Sequence, residues 1–335
     1  MPLFIVGLLV IVAFIATLFL GSVDIPFSNV ADILTGAGGN QAHEYIVLQS
    51  RLPSAIAATL GGAALAVAGL LMQTAFRNPL AGPSIMGINA GASLGVAMVM
   101  LCLGGSVALG SMQLEGEIAV VAGALVGGLA VMAIIVVLST FLCDNLMLLI
   151  AAILVGYLAT SVIMILNYGA SSTGVQSYVM WGMGTFQGIP LRRIIPFAII
   201  TLIALLLVLP LVKPLDALLL GDDYAVSLGV NIKHVRLMLL VSTGLLASVV
   251  TAYCGPVAFI GLAVPHIARF IVRTDIHRRL LPATLLCGAF VALACNIVCV
   301  LPASMNLGGV SAQLPLNAVT SLFGVPVILY VLLKR

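Results

Sequence analysis

Charged residues are scarce in this chain, and their scarcity sets its class. Only 7% of the 335 residues are Asp, Glu, Lys or Arg, whereas 62% are hydrophobic, and the mean hydropathy is +1.29. Soluble domains are roughly 45–50% apolar, so a water-soluble globular protein is excluded. The apolar runs are too long and too free of alternation for barrel strands. We therefore predict an all-α polytopic membrane protein.

About ten transmembrane helices are predicted, because a span needs roughly 20 apolar residues. The first run has no basic n-region and no small-residue cleavage site, so we interpret it as a retained helix and not as a signal peptide. The whole chain, 1–335, is predicted to be one transmembrane domain. The ten runs cover about residues 3–21, 51–72, 84–104, 117–139, 147–167, 194–212, 236–254, 256–272, 280–301 and 314–333.

The basic residues predict the orientation, because cytoplasmic loops of membrane proteins are enriched in Lys and Arg. With the N-terminus in the cytoplasm, ten of the 13 Lys and Arg residues fall on the cytoplasmic side. Only Arg51, Arg192 and Arg193 fall outside. We expect both termini in the cytoplasm. The net charge of +3 comes from basic residues that set the orientation in the membrane, so it is no evidence for nucleic acid as a partner.

The few charges concentrate between two long apolar runs, in residues 213–236, which we call the coupling segment. Its pattern predicts two short helices that are separated at Gly221, the second of them from Asp222 to Gly229. An exposed helix pair is a natural docking surface for another protein, although a solvated loop without a partner fits the pattern equally well. The six charged residues are Lys213, Asp216, Asp222, Asp223, Lys233 and Arg236.

Three stretches of the chain resemble a known family. They are RLPSAIAATLGGAALAVAGLLMQTAFRNPLAGPSIMGINAGASLG from Arg51, LGDDYAVSLGVN from Leu220 and GPVAFIGLAVPHIARF from Gly255. In order and spacing they resemble the FecCD-type permeases, the membrane subunits of ABC importers for ferric siderophores, haem and cobalamin. The resemblance implies a type II ABC importer fold in a bacterial inner membrane and a homodimer with the pathway at its interface.

The resemblance assigns the coupling segment a partner. In such importers the corresponding loop docks onto a separate cytoplasmic ATP-binding subunit. The chain has no G-x-x-x-x-G-K-[ST] phosphate loop, so we expect no cofactor in this chain and ATP to be used by the partner. The implied coupling residues are Gly221, Asp222, Asp223, Leu228 and Gly229.

The resemblance also implies a periplasmic or lipid-anchored substrate-binding protein, whose carboxylates would meet Arg51, Arg192 and Arg193. Arg51 is the strongest candidate for that contact. Many relatives have R-L-P-R where this chain has Arg51-Leu52-Pro53-Ser54, so one expected contact is missing. The alternative role for Arg51 is to fix a helix at the lipid headgroups, because basic residues at span ends also serve as anchors.

Polar residues within or near the spans are functional candidates by default. We predict gate or structural roles for six residues of the family motifs, with His266 suited either to a gate or to a structural hydrogen bond. Five amides are candidates for the pathway wall or for hydrogen bonds between packed helices. The six are Arg77, Asn78, Pro79, Pro265, His266 and Arg269, and the amides are Gln73, Asn89, Asn167, Asn296 and Asn317.

Small residues recur every four positions, which lets membrane helices approach closely. The stretch 91–95 also matches G-x-S-x-G, but a hydrolase would need a strand-turn-helix context, so packing explains it better. Gly82-Pro83 before Gly87 resembles Gly255-Pro256 before Gly261, which suggests an inverted repeat. The small residues are Ala58, Gly62 and Ala66, then Gly87, Gly91 and Gly95.

Acidic residues are absent from the interior of the predicted spans, which argues against the alternative function, an ion-coupled secondary transporter. The six cysteines lie in or at the ends of apolar runs, where cysteine behaves as a small hydrophobe. Cys295 and Cys299 share a helix face, but no nearby His completes a site for a soft metal. Trp181, the only tryptophan, is predicted to be an aromatic anchor at the interface with lipid, and the resemblance adds a place in a mouth helix beside the substrate entrance.

Overall fold

The computed structural model describes residues 2–36, 40–104, 106–109, 112–142, 144–304 and 313–334. Cys143, one of the six cysteines, and the C-terminal Arg335 lie outside these ranges. In chain order the helices are α1 (Pro2–Phe19), α2 (Phe27–Thr35), α3 (Gln41–Ile46), α4 (Leu52–Ala75), α5 (Ile88–Ala97), α6 (Glu117–Phe141), α7 (Asn145–Gly169), α8 (Ser172–Gly182), α9 (Leu191–Leu206), α10 (Val212–Leu219), α11 (Asp222–Ser227), α12 (Ile232–Cys254), α13 (Ile260–Val272), α14 (His277–Ser304) and α15 (Leu316–Leu333).

Short irregular elements complete the described chain. One π-helical turn, Val47–Arg51, joins α3 to α4, and a second, Met98–Cys102, extends α5. A 3-10 turn, Leu209–Leu211, precedes α10. The strands β1 (Ser106–Leu109) and β2 (Met112–Glu115) form an antiparallel hairpin. The protein is thus helical apart from this hairpin in the part that the structure describes.

The predicted spans correspond to eight long helical segments and two short ones. Eight segments of at least 18 residues are apolar enough to cross a membrane within the described chain. The other two predicted spans, 84–104 and 256–272, contain the shorter helical segments Ile88–Cys102 and Ile260–Val272. At about 1.5 Å per residue, a 13-residue helix is about 20 Å long and falls short of a hydrocarbon core of about 30 Å.

Both short helices follow a Gly-Pro break, which explains why their starts lie later than the apolar pattern predicts. Gly87 precedes α5 with φ 72°, and Phe259 precedes α13 with φ 64°. Each short helix comes after a long and largely buried helix, α4 or α12. The two regions share a local arrangement of long helix, Gly-Pro break, left-handed residue and short helix. Their relation by an inverted repeat stays a prediction.

Helix α4 lies at the centre of the fold. Of its 24 residues, 19 are buried, and it packs against α9, α12, α13 and α14. Helices α1, α7 and α15 are mostly exposed, and their exposed side chains are apolar. The protein therefore has a helical core around α4 and an apolar periphery that is suited to lipid or to another membrane protein.

Glycines bring α4 into backbone contact with its neighbours. A Cβ atom on Gly69 would lie 1.6 Å from the carbonyl oxygen of Gly261 on α13. A Cβ atom on Gly62 would lie 2.3 Å from the carbonyl oxygen of Gly288 on α14. These distances are far below van der Waals contact, so only glycine fits at both crossings. The predicted close-packing role of Gly62 is confirmed.

The same packing explains the match to G-x-S-x-G. On α5, a Cβ atom on Gly95 would lie 1.9 Å from the carbonyl oxygen of Gly123 on α6, and one on Gly91 would lie 2.6 Å from that of Gly127. The whole stretch 91–95 is helical, not the strand-turn-helix of a hydrolase. The glycines serve the contact between α5 and α6.

The crossing at Gly69 gives a stability prediction. Gly69→Ala forces α4 and α13 apart, and we expect it to lower the free energy of unfolding by about 3 kcal/mol or more, at the upper end of overpacking costs. The measurement is the thermal unfolding midpoint of the purified protein in detergent. Gly7→Ala on α1 is the matched control, because no atom lies within 4 Å of its added Cβ. Equal midpoints for the two variants would contradict the prediction.

Candidate functional site

The C-terminal end of α4 carries polar residues on a helix that is otherwise built mainly from Ala, Gly and Leu. We call Gln73, Thr74, Arg77 and Pro79 the α4 node. The helix ends at Ala75, Arg77 has φ 45°, and the proline excludes further helix. These breaks direct the four groups of the node to different neighbours.

Asn78 forms the turn within this node. Its Oδ1 atom accepts a hydrogen bond of 2.9 Å from the backbone N–H of Leu80, which is a typical role for Asn in turns. The structure therefore gives Asn78 a structural role in reversing the chain between α4 and α5.

Gln73 connects α4 to α13. Its amide nitrogen donates to the carbonyl oxygen of Leu262 at 3.1 Å, and its Oε1 accepts from a guanidinium nitrogen of Arg269 at 2.5 Å. Arg269 also donates from Nε to Asp275 at 3.2 Å. Gln73 is buried and both ends of its amide are paired, so this residue serves helix packing.

Thr74 connects α4 to α14 through His277. The Thr74 Oγ1 atom lies 2.9 Å from Nε2 of His277, and the other ring nitrogen, Nδ1, lies 2.9 Å from Oδ1 of Asp216 on α10. Neither His277 nor Asp216 was predicted to be a site residue from the sequence. The position of His277 at the start of an apolar run could have indicated a paired site, because a polar group at a membrane span is costly unless it has a partner.

Arg77 connects the node to the coupling segment. Its NH2 atom lies 2.5 Å from Oδ1 of Asp222 at the start of α11, and the two side chains are 50% and 46% exposed. An ion pair this exposed contributes at most about 1 kcal/mol to stability. Arg77 was predicted as a gate or structural residue and Asp222 as a coupling residue, and the structure brings the two together.

His266 on α13 binds the loop that follows α4. Its Nε2 atom lies 2.9 Å from the carbonyl oxygen of Pro79, and because a carbonyl only accepts, Nε2 is the donor. Pro265, beside it, is buried inside α13. Of the two predicted roles for His266, this contact supports the structural hydrogen bond.

The coupling segment forms the two predicted short helices, α10 and α11. Gly221 separates them with φ 115°, and Gly229 ends the second with φ 81°. Asp222 and Asp223 lie in the first turn of α11, where the helix dipole favours negative charge. The predicted helix pair, with its break at Gly221, is confirmed.

The outer surface of the coupling segment carries a set of apolar side chains beside its charges. Leu215 and Leu218 point inward and are buried, whereas Leu219 is exposed. The exposed apolar set consists of Leu219, Leu220, Tyr224, Val226 and Leu228. An apolar set beside two carboxylates is typical of a protein-docking surface.

The structure corrects the predicted docking role of Arg51. It is only 6% exposed, and its guanidinium donates to the carbonyl oxygens of Leu18 at 2.9 Å and Phe19 at 2.8 Å, and to that of Val23. These carbonyls lie at and beyond the C-terminal end of α1, where helix carbonyls lack partners. A buried side chain cannot meet a protein at the surface, so the helix-fixing alternative is supported.

Arg192 and Arg193 differ in their surroundings. Arg192 is exposed at the start of α9, whereas Arg193 forms an ion pair with Glu117 at the start of α6. This pair lies at a cavity of about 630 Å³ between α6, α8, α9 and α12, whose lining includes Ser177, Trp181, Gln187 and Tyr253. Of the three predicted docking arginines, Arg193 thus lines this cavity.

Trp181 belongs to this cavity wall and is only partly exposed. Its ring stacks on that of Tyr178, with centroids 6.4 Å apart. Burial raises the pKa of the Tyr178 phenol above its usual value, against a smaller opposite effect of its hydrogen bond with Ser93. The position favours the predicted mouth role of Trp181 over that of an anchor in lipid.

Three of the remaining amides pair across helices. Thr251 donates to Asn89 at 3.1 Å, Asn296 donates to Ser54 at 3.0 Å, and Asn317 accepts from the N–H of Ala258 at 2.9 Å. Asn167 donates to Ile163 within α7 at 3.0 Å, and its buried Oδ1 has no partner among the described residues. These contacts favour packing over a pathway role for the three paired amides.

The five cysteines that the structure describes belong to no candidate metal site. The five described cysteines are free thiols, and Cys295 and Cys299 are buried on α14. No group of three His, Cys, Asp or Glu side chains could hold a metal within the ranges that the structure covers. A small apolar role for Cys295 and Cys299 accounts for their burial.

Comparison with known proteins shows the family. The model of the FecCD transport family matches residues 8–334. A protein of Methanocaldococcus jannaschii that is named as an ABC transporter permease is 32% identical over 307 residues, which cover 90% of this chain and 87% of that protein. The vitamin B12 import system permease protein BtuC of Salmonella typhimurium is 35% identical over 298 residues, which cover 87% of this chain and 84% of BtuC.

A solved structure shows the same fold. The structure of a metal-chelate type ABC transporter in an inward-facing conformation matches with a TM-score of 0.84 and 24% identity, over 99% of each chain. The predicted all-helical, type II importer-like architecture is therefore confirmed. The family excludes the ion-coupled alternative, because the energy source of its members is a partner ATPase. The chain belongs to the FecCD transport family and is the membrane permease subunit of an ABC importer, in which a separate subunit hydrolyses ATP.

Proposed function

We propose that this permease carries cobalamin or a metal chelate, either a ferric siderophore or haem, across a bacterial inner membrane with both termini in the cytoplasm. The observation that carries the cargo class is the 35% identity to a permease that is named for vitamin B12 import, over 87% of this chain. The scarcity of charge in the chain agrees with a large cargo that is bound weakly along its path.

The ATPase subunit docks on the coupling segment. Support comes from the exposed apolar side chains of α10 and α11 beside Asp222 and Asp223. Burial of such a surface against a partner provides affinity, and the carboxylates provide orientation. Gly221, Leu228 and Gly229 shape the segment, because both glycines have positive φ angles and Leu228 ends α11.

A substrate-binding protein docks on the opposite face through Arg192, with Arg193 and Glu117 beside it. Arg192 is exposed and directly precedes Arg193, which lines the 630 Å³ cavity, so a carboxylate of the partner can reach it. Arg51 has no part in this contact, because its guanidinium is buried.

The permease works as a homodimer, with the pathway between two copies and membrane lipid around them. Support comes from α7, whose exposed apolar side chains run along the helix and include Ile150, Leu154, Leu158 and Ile165. Such a face has two possible neighbours, lipid and a second copy. The resemblance of the chain to FecCD-type permeases implies a homodimer, so it favours a second copy as the neighbour of at least one exposed face.

The cargo is tested by uptake. We expect one of three labelled compounds, cobalamin, a ferric siderophore or haem, to enter cells only when both this chain and its ATPase partner are functional. Cells that lack the chain, and cells whose ATPase is inactivated, are the controls. Uptake of none of the three, or uptake that survives inactivation of the ATPase, would contradict the proposal.

The docking role of the coupling segment is tested by charge reversal. We expect the double variant Asp222→Lys with Asp223→Lys to abolish uptake while the chain stays folded in the membrane, because repulsion replaces the complementary charge at the ATPase surface. The measurements are uptake, and retention of the ATPase during purification of the permease.

The paired swap Arg77→Asp with Asp222→Arg separates docking from the internal ion pair. The swap restores the ion pair within the permease, but it leaves a positive charge at position 222, where the ATPase subunit docks. We therefore expect uptake to stay low. Full uptake by the swap variant would show that Asp222 serves only Arg77.

Arg192→Glu tests the outer contact. We expect the Kd of the substrate-binding protein for the permease–ATPase complex to rise about tenfold, which corresponds to about 1.4 kcal/mol, and the difference to shrink at high salt. Lys233→Glu is the matched control, because Lys233 is an exposed base on the other side in the predicted topology. An unchanged Kd for Arg192→Glu would remove Arg192 from the contact.

A further inference from the structure

We propose that His277 is a positioning residue for transport: its buried ring, held between Asp216 and Thr74, forms a clamp that transmits motion of the coupling segment to the core helices α4 and α14. This inference rests on the proposed docking of the ATPase on the coupling segment. The clamp consists of Asp216 on α10, His277 on α14 and Thr74 on α4.

Asp216 holds the beginning of α14. Its Oδ1 atom accepts the backbone N–H of His277 at 2.6 Å and lies 2.9 Å from Nδ1 of the same residue. A carboxylate that accepts a free N–H at a helix N-terminus satisfies an otherwise unpaired donor and opposes the positive end of the helix dipole. One carboxylate oxygen of α10 therefore binds α14 through both its backbone and its first side chain.

The imidazole ring extends the link to α4. His277 is 1% exposed, and its Nε2 atom lies 2.9 Å from the Thr74 hydroxyl, which itself donates to the carbonyl oxygen of Leu70 at 3.0 Å. The ring thus spans from α10 to the backbone of α4 by way of one hydroxyl. No solvent reaches the ring to replace a lost partner.

The core helices at the far side of the clamp behave as one body. Gly62 and Gly288 place the backbones of α4 and α14 in direct contact, and Asn296 donates to Ser54 between the same helices. Leu215, which is fully buried, fixes α10 against this core beside Asp216. A force applied to α10 therefore reaches α4 and α14 together.

The clamp differs from the second link between the coupling segment and α4. The Arg77–Asp222 ion pair is about half exposed on both sides, so water can replace either partner when it opens. The Asp216 carboxylate is 31% exposed, but the His277 ring that it holds is only 1% exposed, so water cannot replace a partner that the ring loses, and an unpaired buried polar group is costly.

The test measures transported cargo per ATP hydrolysed. The complete permease–ATPase complex is reconstituted in liposomes with its binding protein, and the probes are labelled cobalamin, a ferric siderophore and haem. We expect His277→Ala to retain ATP hydrolysis within about twofold of the unsubstituted protein while cargo per ATP falls at least tenfold.

Two conservative variants separate the halves of the clamp. Asn places its amide nitrogen near the position of Nδ1, and Gln places its amide nitrogen near that of Nε2. We therefore expect His277→Asn, which keeps the contact with Asp216, to retain more cargo per ATP than His277→Gln, which loses it. This ordering is a readout that general destabilisation would not produce, and it remains measurable if His277→Ala fails to fold.

Ser54→Ala is the matched control, because it removes a buried hydrogen bond between the same two helices at a distance from α10. We expect it to lower the thermal midpoint about as much as His277→Asn while cargo per ATP stays unchanged. Normal coupling by both conservative variants, or an equal loss in Ser54→Ala, would overturn the clamp. Failure of the unsubstituted complex to take up any probe would instead overturn the proposed function.

Discussion

The backbone contacts of α4 are the constraint on which the rest of this structure depends. In a bilayer the hydrophobic effect does not drive helices together, so close van der Waals contact and polar pairing must do so. Gly69 meets Gly261, and Gly62 meets Gly288, at distances that no side chain tolerates. These two crossings set the positions of α13 and α14 relative to α4. They therefore set where the polar groups at the end of α4 find their partners.

The α4 node connects the helical core to the coupling segment. Gln73 and Pro79 bind α13, Thr74 binds His277 at the start of α14, and Arg77 binds α11. A polar group in an apolar surrounding must be paired, so each of these residues has a defined neighbour. The proposed transport cycle uses the same contacts, because an ATPase that moves α10 and α11 acts on the node directly.

Arg51 shows what a pattern of charges in the sequence can predict and what it cannot. Its place at the outer end of a predicted span and the family resemblance suggested a surface contact with a binding protein, yet its guanidinium binds three carbonyl oxygens near the end of α1. The sequence indicates on which side of the membrane a residue lies, but not whether it is covered. The loop after α1 folds back over Arg51, and Gly21 lies against its guanidinium. That cover depends on contacts between residues about 30 positions apart.

The sequence by itself determined the properties that depend on local composition: the membrane class, most span positions, the helix pair at Gly221 and the small-residue faces. Hydrophobic length and helical periodicity are local, so they can be recognised without a structure. Only the tertiary structure decided which polar groups meet. Arg77 and Asp222 are 145 residues apart, and Asp216 and His277 are 61 apart. Such pairs form because helix crossings bring distant residues together, and no local pattern contains that information.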